Sequence, residues 1–453
     1  MSMTGRRRMF HGRTFLPRSL RRTGRGRASA LAAGALAACS SLVAGCGVVP
    51  GSAAGSGDGP IVVMTWAPEG TAATNMPGMP AFARAYARWI NDQGGLNGRK
   101  LKVLTCNDHN DTVGAAACAR RAVKEGAVAV VGSYSQHSAA FFPHLEGAGI
   151  PYIGGYGVTN TEFTSPLSYP VNGGQPALLA GLGKELAASC GPVALVRPDT
   201  IAGDALPTML NAGLRAGGHA DARDQLAAED ATEYSEQAES ALDTATGGSG
   251  AAGSSAGSSA DGTKGCVVPA LGDRTSTFMD SFRRTRADYP DVRTGSVLGS
   301  VDQTVIDATG GGSGPYEGAY VTGWYPVASD KRWAPMKKVI SEAAFSDTRI
   351  SPNDTGVQTT WIAYTVLRKA VESLDGGDVT ATRVRGALDR QSIGTDGLTP
   401  TLRWQFSGPL GAIGFPRMVN ADVTLQTVRE GRLVAAKGGF VDTTETLEAA
   451  EID

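Results

Sequence analysis

Apolar positions along this chain follow two alternating spacings. Short apolar runs of the buried-strand type recur at 61–64, 101–106, 127–132 and 150–153. Between the first two, Phe82, Tyr86, Trp89 and Ile90 share one face of a helix opened by Pro80. Gly94-Gly95 ends that helix, because glycine readily takes the left-handed conformation at a helix C-terminus. Further helices are predicted over 113–125 and 138–148. A second series starts with a helix over 176–189 and a strand at 193–197. It continues with a helix at 204–216, a strand at 266–270, a helix at 277–287 and strands at 296–299 and 319–323. Strands alternating with helices of about ten residues predict βαβ units and parallel sheets. Right-handed crossovers make such sheets doubly wound, with ligands beyond the carboxyl ends of the strands. Two series predict two such sheets.

The N-terminus has a different pattern. Nine arginines and no acidic residue lie between Arg6 and Arg27, and a small-residue apolar run then leads to Val43-Ala44-Gly45-Cys46. A basic segment before an apolar one is the export-signal pattern. Val-Ala-Gly-Cys resembles the bacterial lipobox, which makes Cys46 the expected lipidated residue after a signal peptide over 1–45. The alternative is an uncleaved anchor, for which the run is of minimal length. Arg7-Arg8-Met9-Phe10 leaves Sec and twin-arginine export both open. Residues 46–59 read as a flexible Gly/Ser/Ala tether. Without the nine arginines the chain holds 33 Lys+Arg against 43 Asp+Glu. Such an acidic, dispersed surface argues against nucleic acid as a partner. No cofactor is expected. About 400 mature residues suggest two domains.

Residues 246–263 interrupt the second series with Gly, Ser and Ala, a composition that predicts a disordered loop. The tract fits GxSxG at Gly253–Gly257 and GxGxxG at Gly248–Gly253. Neither match follows a strand or opens a helix, which both mechanisms require. His109, His137, His144 and His219 lie in no convergent set with a nucleophile and an orienting acid, so no enzyme is expected.

Five segments in order resemble one known family. The passage from Trp89 through Gly94-Gly95-Leu96-Asn97-Gly98 to Leu101 is similar to the helix–GGxNG–strand passage of type I periplasmic binding proteins. More narrowly, it resembles the branched-chain amino-acid-binding, receptor-ligand-type group that feeds ABC importers. Asp108 with Ala115–Arg120, Val130–Ser138, Gly149–Ile153 and Thr360–Leu374 resemble its later elements. The resemblance implies an α/β fold of two Rossmann-like doubly wound lobes joined by a three-strand hinge, a Venus flytrap that closes on solute. Lobe 1 is expected at 60–172 plus 327–398, and lobe 2 at 173–326 plus 399–453. Export makes disulfides feasible. The pairs Cys106–Cys118 and Cys190–Cys266 each stay within one expected lobe. A zinc site at Cys106-Asn107-Asp108-His109 is the competing reading.

The resemblance places Ser135 at the carboxylate-binding serine, and Gly157 and Thr159 at backbone and hydroxyl contacts to an amino-acid solute. Ser135 also precedes a predicted helix, whose free N–H groups favour an anion; a plain N-cap is the alternative. In lobe 2 the family's aromatic aligns with Ala202. Its acidic grip on the ammonium falls near Asp302, which reads equally as a loop acid. Tyr134, Tyr156 and Trp324, with Trp66 and Tyr325, are candidates to line the cleft or to pack between lobes. The implied function is a lipid-anchored solute receptor on the outer face of the cytoplasmic membrane, partnered by an ABC permease. A sensor with a separate signalling partner, or a binding-dead relative, remains the alternative.

Overall fold

The computed structural model describes residues 59–71, 74–228, 231–247, 264–287, 289, 291–297, 300–405, 411 and 414–450. The expected signal peptide, Cys46, the tether up to residue 58 and residues 248–263 lie outside the described residues.

The first series builds one parallel sheet. Its strands are β1 (Ile61–Trp66), β2 (Leu101–Cys106), β3 (Ala129–Val131), β4 (Tyr152–Ile153) and β5 (Ser168–Tyr169), in the order β2-β1-β3-β4-β5. Alternate side chains leave opposite faces. Ile61 and Val63 join the core under helices Gly78–Asp92 and Thr355–Glu372, while Met64 and Trp66 join the core under Thr112–Lys124 and Ser138–Ala148. Helix Thr355–Glu372 crosses close to the sheet. Gly154, at φ +63°, is needed there, since a Cβ would meet Ala363 Cβ at 2.4 Å.

The second series builds the other sheet from β6 (Val193–Pro198), β7 (Arg223–Ala227), β8 (Cys266–Pro269), β9 (Arg293–Val297) and β10 (Tyr320–Gly323). The order β10-β9-β8-β6-β7 is parallel throughout. Val193 and Leu195 face helices Gly174–Ser189 and Leu206–Ala216; Ala194 and Val196 face Ser235–Ala245 and Thr275–Arg286. The two-lobe α/β architecture is therefore as the resemblance implied.

The late chain adds a short antiparallel pair, β11 (Ser392–Ile393) with β12 (Leu402–Arg403), and then β13 (Asp422–Arg429) antiparallel to β10. β14 (Arg432–Ala435) and β15 (Val441–Asp442) both pair with β13. The expected return to lobe 2 at 399 is too early. Trp404 donates its indole N–H to Pro170 O at 3.2 Å, and Arg417 Nε donates to Ser168 O at 3.0 Å. Trp404 and Arg417 thus still lie beside the first sheet, and β12 pairs there with β11. The chain passes between the sheets three times: after β5, after β10 and before β13.

Both disulfides join the expected pairs, at Cα separations of 5.7 Å for Cys106–Cys118 and 5.8 Å for Cys190–Cys266. The bond to Cys118 removes Cys106 from the suggested zinc site.

Candidate functional site

The residues just past the strand ends of one sheet meet those of the other. Tyr134 follows β3, Tyr156 follows β4, and Trp324 follows β10. Tyr134 and Tyr156 pack edge-on with ring centres 5.2 Å apart, and Tyr156 meets Trp324 at 4.9 Å. The chain of rings continues through Tyr325 to Trp333. Each ring is almost wholly buried, and the Tyr156–Trp324 contact packs across the interlobe seam.

Hydrogen bonds lock the crossings beside these rings. Trp324 donates to Gly174 O at 2.8 Å, and Asn172 Nδ2 donates to the Tyr325 hydroxyl at 2.9 Å. That hydroxyl also shares a bond of 3.0 Å with Thr359, while Tyr156 shares one of 2.7 Å with Thr355. Both threonines belong to helix Thr355–Glu372, so one lobe-1 helix is tied to the hinge and to the seam.

Ser135 is buried at the carboxyl end of the sheet, where its hydroxyl accepts the backbone N–H of His137 at 3.2 Å. It also faces Asp108, a fully buried acid whose pKa is raised by burial and partly restored by the Ser135 hydroxyl. Asp108 Oδ2, Asn110 Oδ1 and His137 Nε2 are buried without a protein partner among the described residues. Ser135 therefore sits among unsatisfied polar atoms at the seam, a costly arrangement for a folded chain unless something completes it.

Gly157 and Thr159 are arranged around a group that was not among the candidates named from sequence. Glu162 turns its buried carboxylate back onto the loop and accepts the backbone N–H groups of Gly157, Val158 and Thr159 at 3.1, 3.1 and 3.2 Å. The Thr159 hydroxyl adds a bond of 3.0 Å. Gly157 has φ +83°, and a Cβ there would meet Gly174 Cα at 2.7 Å, so the loop needs glycine to reach the hinge. Burial raises the Glu162 pKa to about 7, even though the four donors oppose the rise. The signal was present as Thr159-Asn160-Thr161-Glu162, a capping-box spacing that sends the acid back toward its own loop.

Asp302 lies at the opposite lobe's strand end but caps helix Gln303–Ala308, accepting the Val305 N–H at 2.8 Å. It is near enough to Asp354 to help raise that acid's pKa. The Ala202 side chain lies outside the described residues.

Two lobes, three crossings and a seam at facing strand ends make a device for holding a solute. Residues 62–414 match the model of a family described as periplasmic binding protein. The chain belongs to that family. No curated protein matches it in sequence. Solved structures of similar fold include an extracellular ligand-binding receptor from Verminephrobacter eiseniae ef01-2, 14% identical at TM-score 0.62, over 83% of this chain and 99% of that one. A solute binding protein of an ABC transporter from R. palustris, solved with benzoate, is 17% identical at TM-score 0.63, over 85% and 98% of the two chains. A putative branched-chain amino acid ABC transporter from Rhodospirillum rubrum is 17% identical at TM-score 0.57, over 83% and 99%. As a member of the periplasmic binding protein family, the chain is a binding protein that works outside the cytoplasm.

Proposed function

We propose that this periplasmic binding protein is a lipid-anchored receptor that captures a small amino-acid-like or amide-like solute between its lobes and presents it to an ABC permease. The observation that carries the reading is the meeting of Tyr134, Tyr156 and Trp324 across the seam, beside Ser135 and its unsatisfied neighbours. Ser135, the 157–159 loop and these rings would contact the solute. Closure is driven only by the solute's extra affinity for the closed form.

A thermal-shift screen of the purified protein against amino acids, amides, short peptides, nucleosides and sugars tests this, since a ligand of the folded state must raise the melting temperature. One responsive class supports the reading; none would favour a binding-dead relative. Glu162 is the observation behind that second reading, because its carboxylate already occupies the Gly157 and Thr159 donors. For a bound solute, Ser135→Ala with Thr159→Ala is expected to raise Kd at least about tenfold, or about 1.4 kcal/mol. Calorimetric affinity unchanged in that double variant would sink the site assignment.

The anchor has a separate test. Cys46→Ser is expected to release the protein into the medium or periplasm. Continued retention with membranes after fractionation would remove the lipobox reading.

A further inference from the structure

β2 lies at the edge of the first sheet, and cations border it from both faces. Arg84, on helix Gly78–Asp92, donates to the Thr105 hydroxyl at 3.1 Å. Arg121, on helix Thr112–Lys124, donates to Thr105 O at 2.8 Å. Arg88 lies one turn along from Arg84, Lys124 one turn along from Arg121, and Lys102 on β2 itself. None of these five forms an ion pair among the described residues. Glu69 and Asp347 are paired with Arg349, and burial with the like charges of Arg349 and Arg88 lowers the Arg84 pKa. In a chain whose acids outnumber its bases once the N-terminal arginines are set aside, this edge is a local reversal of sign.

Phe345 stands beside these cations. It is 76% exposed, and the Arg88 guanidinium lies 5.0 Å from its ring centre. Phe345 and Ser346 both take left-handed backbone, at φ +50° and +61°, a costly conformation for an aromatic residue. Arg88 braces the turn by donating Nε to Ala343 O at 3.1 Å. The strand edge itself is closed to an added strand. Asn91 takes the Leu101 N–H at 2.7 Å and Leu101 O at 2.9 Å, and Arg121 takes Thr105 O. What remains is positive charge with one exposed ring, a combination that suits an anionic lipid surface.

The N-terminal segment enters at the same edge. Ile61 pairs with Leu101, and Arg99 Nε donates to Gly59 O at 2.8 Å. Only residues 47–58 separate Gly59 from Cys46, and a Gly/Ser-rich run of that length spans about 20 Å.

We propose that this edge of lobe 1 rests on the anionic headgroups of the membrane that holds the Cys46 lipid, with the five cations facing phosphate and Phe345 entering the interfacial layer. The proposal rests on the lipid-anchor reading. Held this close, the patch meets the bilayer within a screening length, beyond which the acidic remainder of the surface is largely screened.

Cosedimentation with vesicles at low salt tests it, using a chain from residue 51, which is one compact unit, keeps both sheets and has no lipid. Binding to vesicles of equimolar phosphatidylglycerol and phosphatidylcholine is expected, with little to phosphatidylcholine alone. Lys102→Gln with Lys124→Gln should weaken it about tenfold or more, and Phe345→Ala should weaken it further. All three side chains are exposed, so these variants should keep the fold. Arg223→Gln, on exposed strand β7 of the other sheet, should leave binding unchanged; a loss there equal to that of the lysine pair overturns the proposal. Equal binding to both vesicle types, or binding unchanged in the lysine pair, overturns it too. Retention on immobilised polyglutamate with none on vesicles overturns it in favour of an acidic protein partner, and no binding to either overturns it outright. Because this chain lacks Cys46, none of these outcomes depends on the lipobox, which fractionation of Cys46→Ser decides separately.

Discussion

Replacing Cys190 and Cys266 together by alanine is expected to lower the stability of the folded chain by about 4 kcal/mol. The bond closes a sequence separation of 76 residues, whereas Cys106–Cys118 closes 12. Loop-closure entropy grows with the logarithm of length, which puts the shorter bridge at about 3 kcal/mol. The long loop matters for a further reason. It contains the Gly/Ser/Ala tract of residues 248–263, which has little to bury and much chain entropy in the unfolded state. Cys190 ends helix Gly174–Ser189, and Cys266 opens β8 opposite Val193 of β6. The bridge therefore pins β6 to β8 across that long loop. Both cysteines are buried, at 4% and 0% exposure, and alanine avoids placing a hydroxyl in that core. Urea unfolding followed by circular dichroism measures the effect. A midpoint unchanged from the parent protein would mean that the unfolded chain is already compact across this loop.

The sequence revealed the parts governed by local periodicity. β2 and helix Ser138–Ala148 lie where the spacing predicted them, because their apolar faces are continuous and their ends carry clear stop signals. β7 escaped notice because RDQLA is exposed along most of its length and shows no apolar face. β13 escaped for the opposite reason, since its meaning lies in an antiparallel partner a hundred residues earlier. The site divides in the same way. Tyr134, Tyr156 and Trp324 could be named because they follow strand ends. Glu162 was legible through its spacing from Thr159, but its burial was not.

Stability is expected to fall by several kcal/mol as the pH rises from 5 to 8, because folding shields three carboxyl groups, Glu162 fully and Asp354 and Glu185 in part, and favours their protonated forms. Burial pushes Asp354 to about 6, Glu162 to about 7 and Glu185 to about 8. Unfolded carboxyls titrate near 4. A pKa raised by folding adds stability that is whole below the unfolded value and is lost as the pH climbs through the folded one. Asp354 therefore loses its share first, Glu162 near neutrality and Glu185 last. Every tenfold gain in a carboxylate's proton affinity on folding corresponds to about 1.4 kcal/mol. The groups differ in what opposes burial. Glu162 has four donors around it, while Glu185 has burial alone, with Oε2 buried and unpartnered among the described residues. Glu185→Gln should thus stabilise the protein at pH 8 and flatten the upper arm of the curve. Glu162→Gln should instead loosen the 157–159 loop, because a neutral amide is a weaker acceptor for four donors. Urea midpoints at half-unit pH steps would show both effects. A flat curve between pH 5 and 8 would mean that water reaches these acids. If Glu162 also guards the solute loop, Glu162→Gln should change solute affinity at pH 7 while Glu185→Gln leaves it alone, separating a carboxylate that holds the site from one that only burdens the fold.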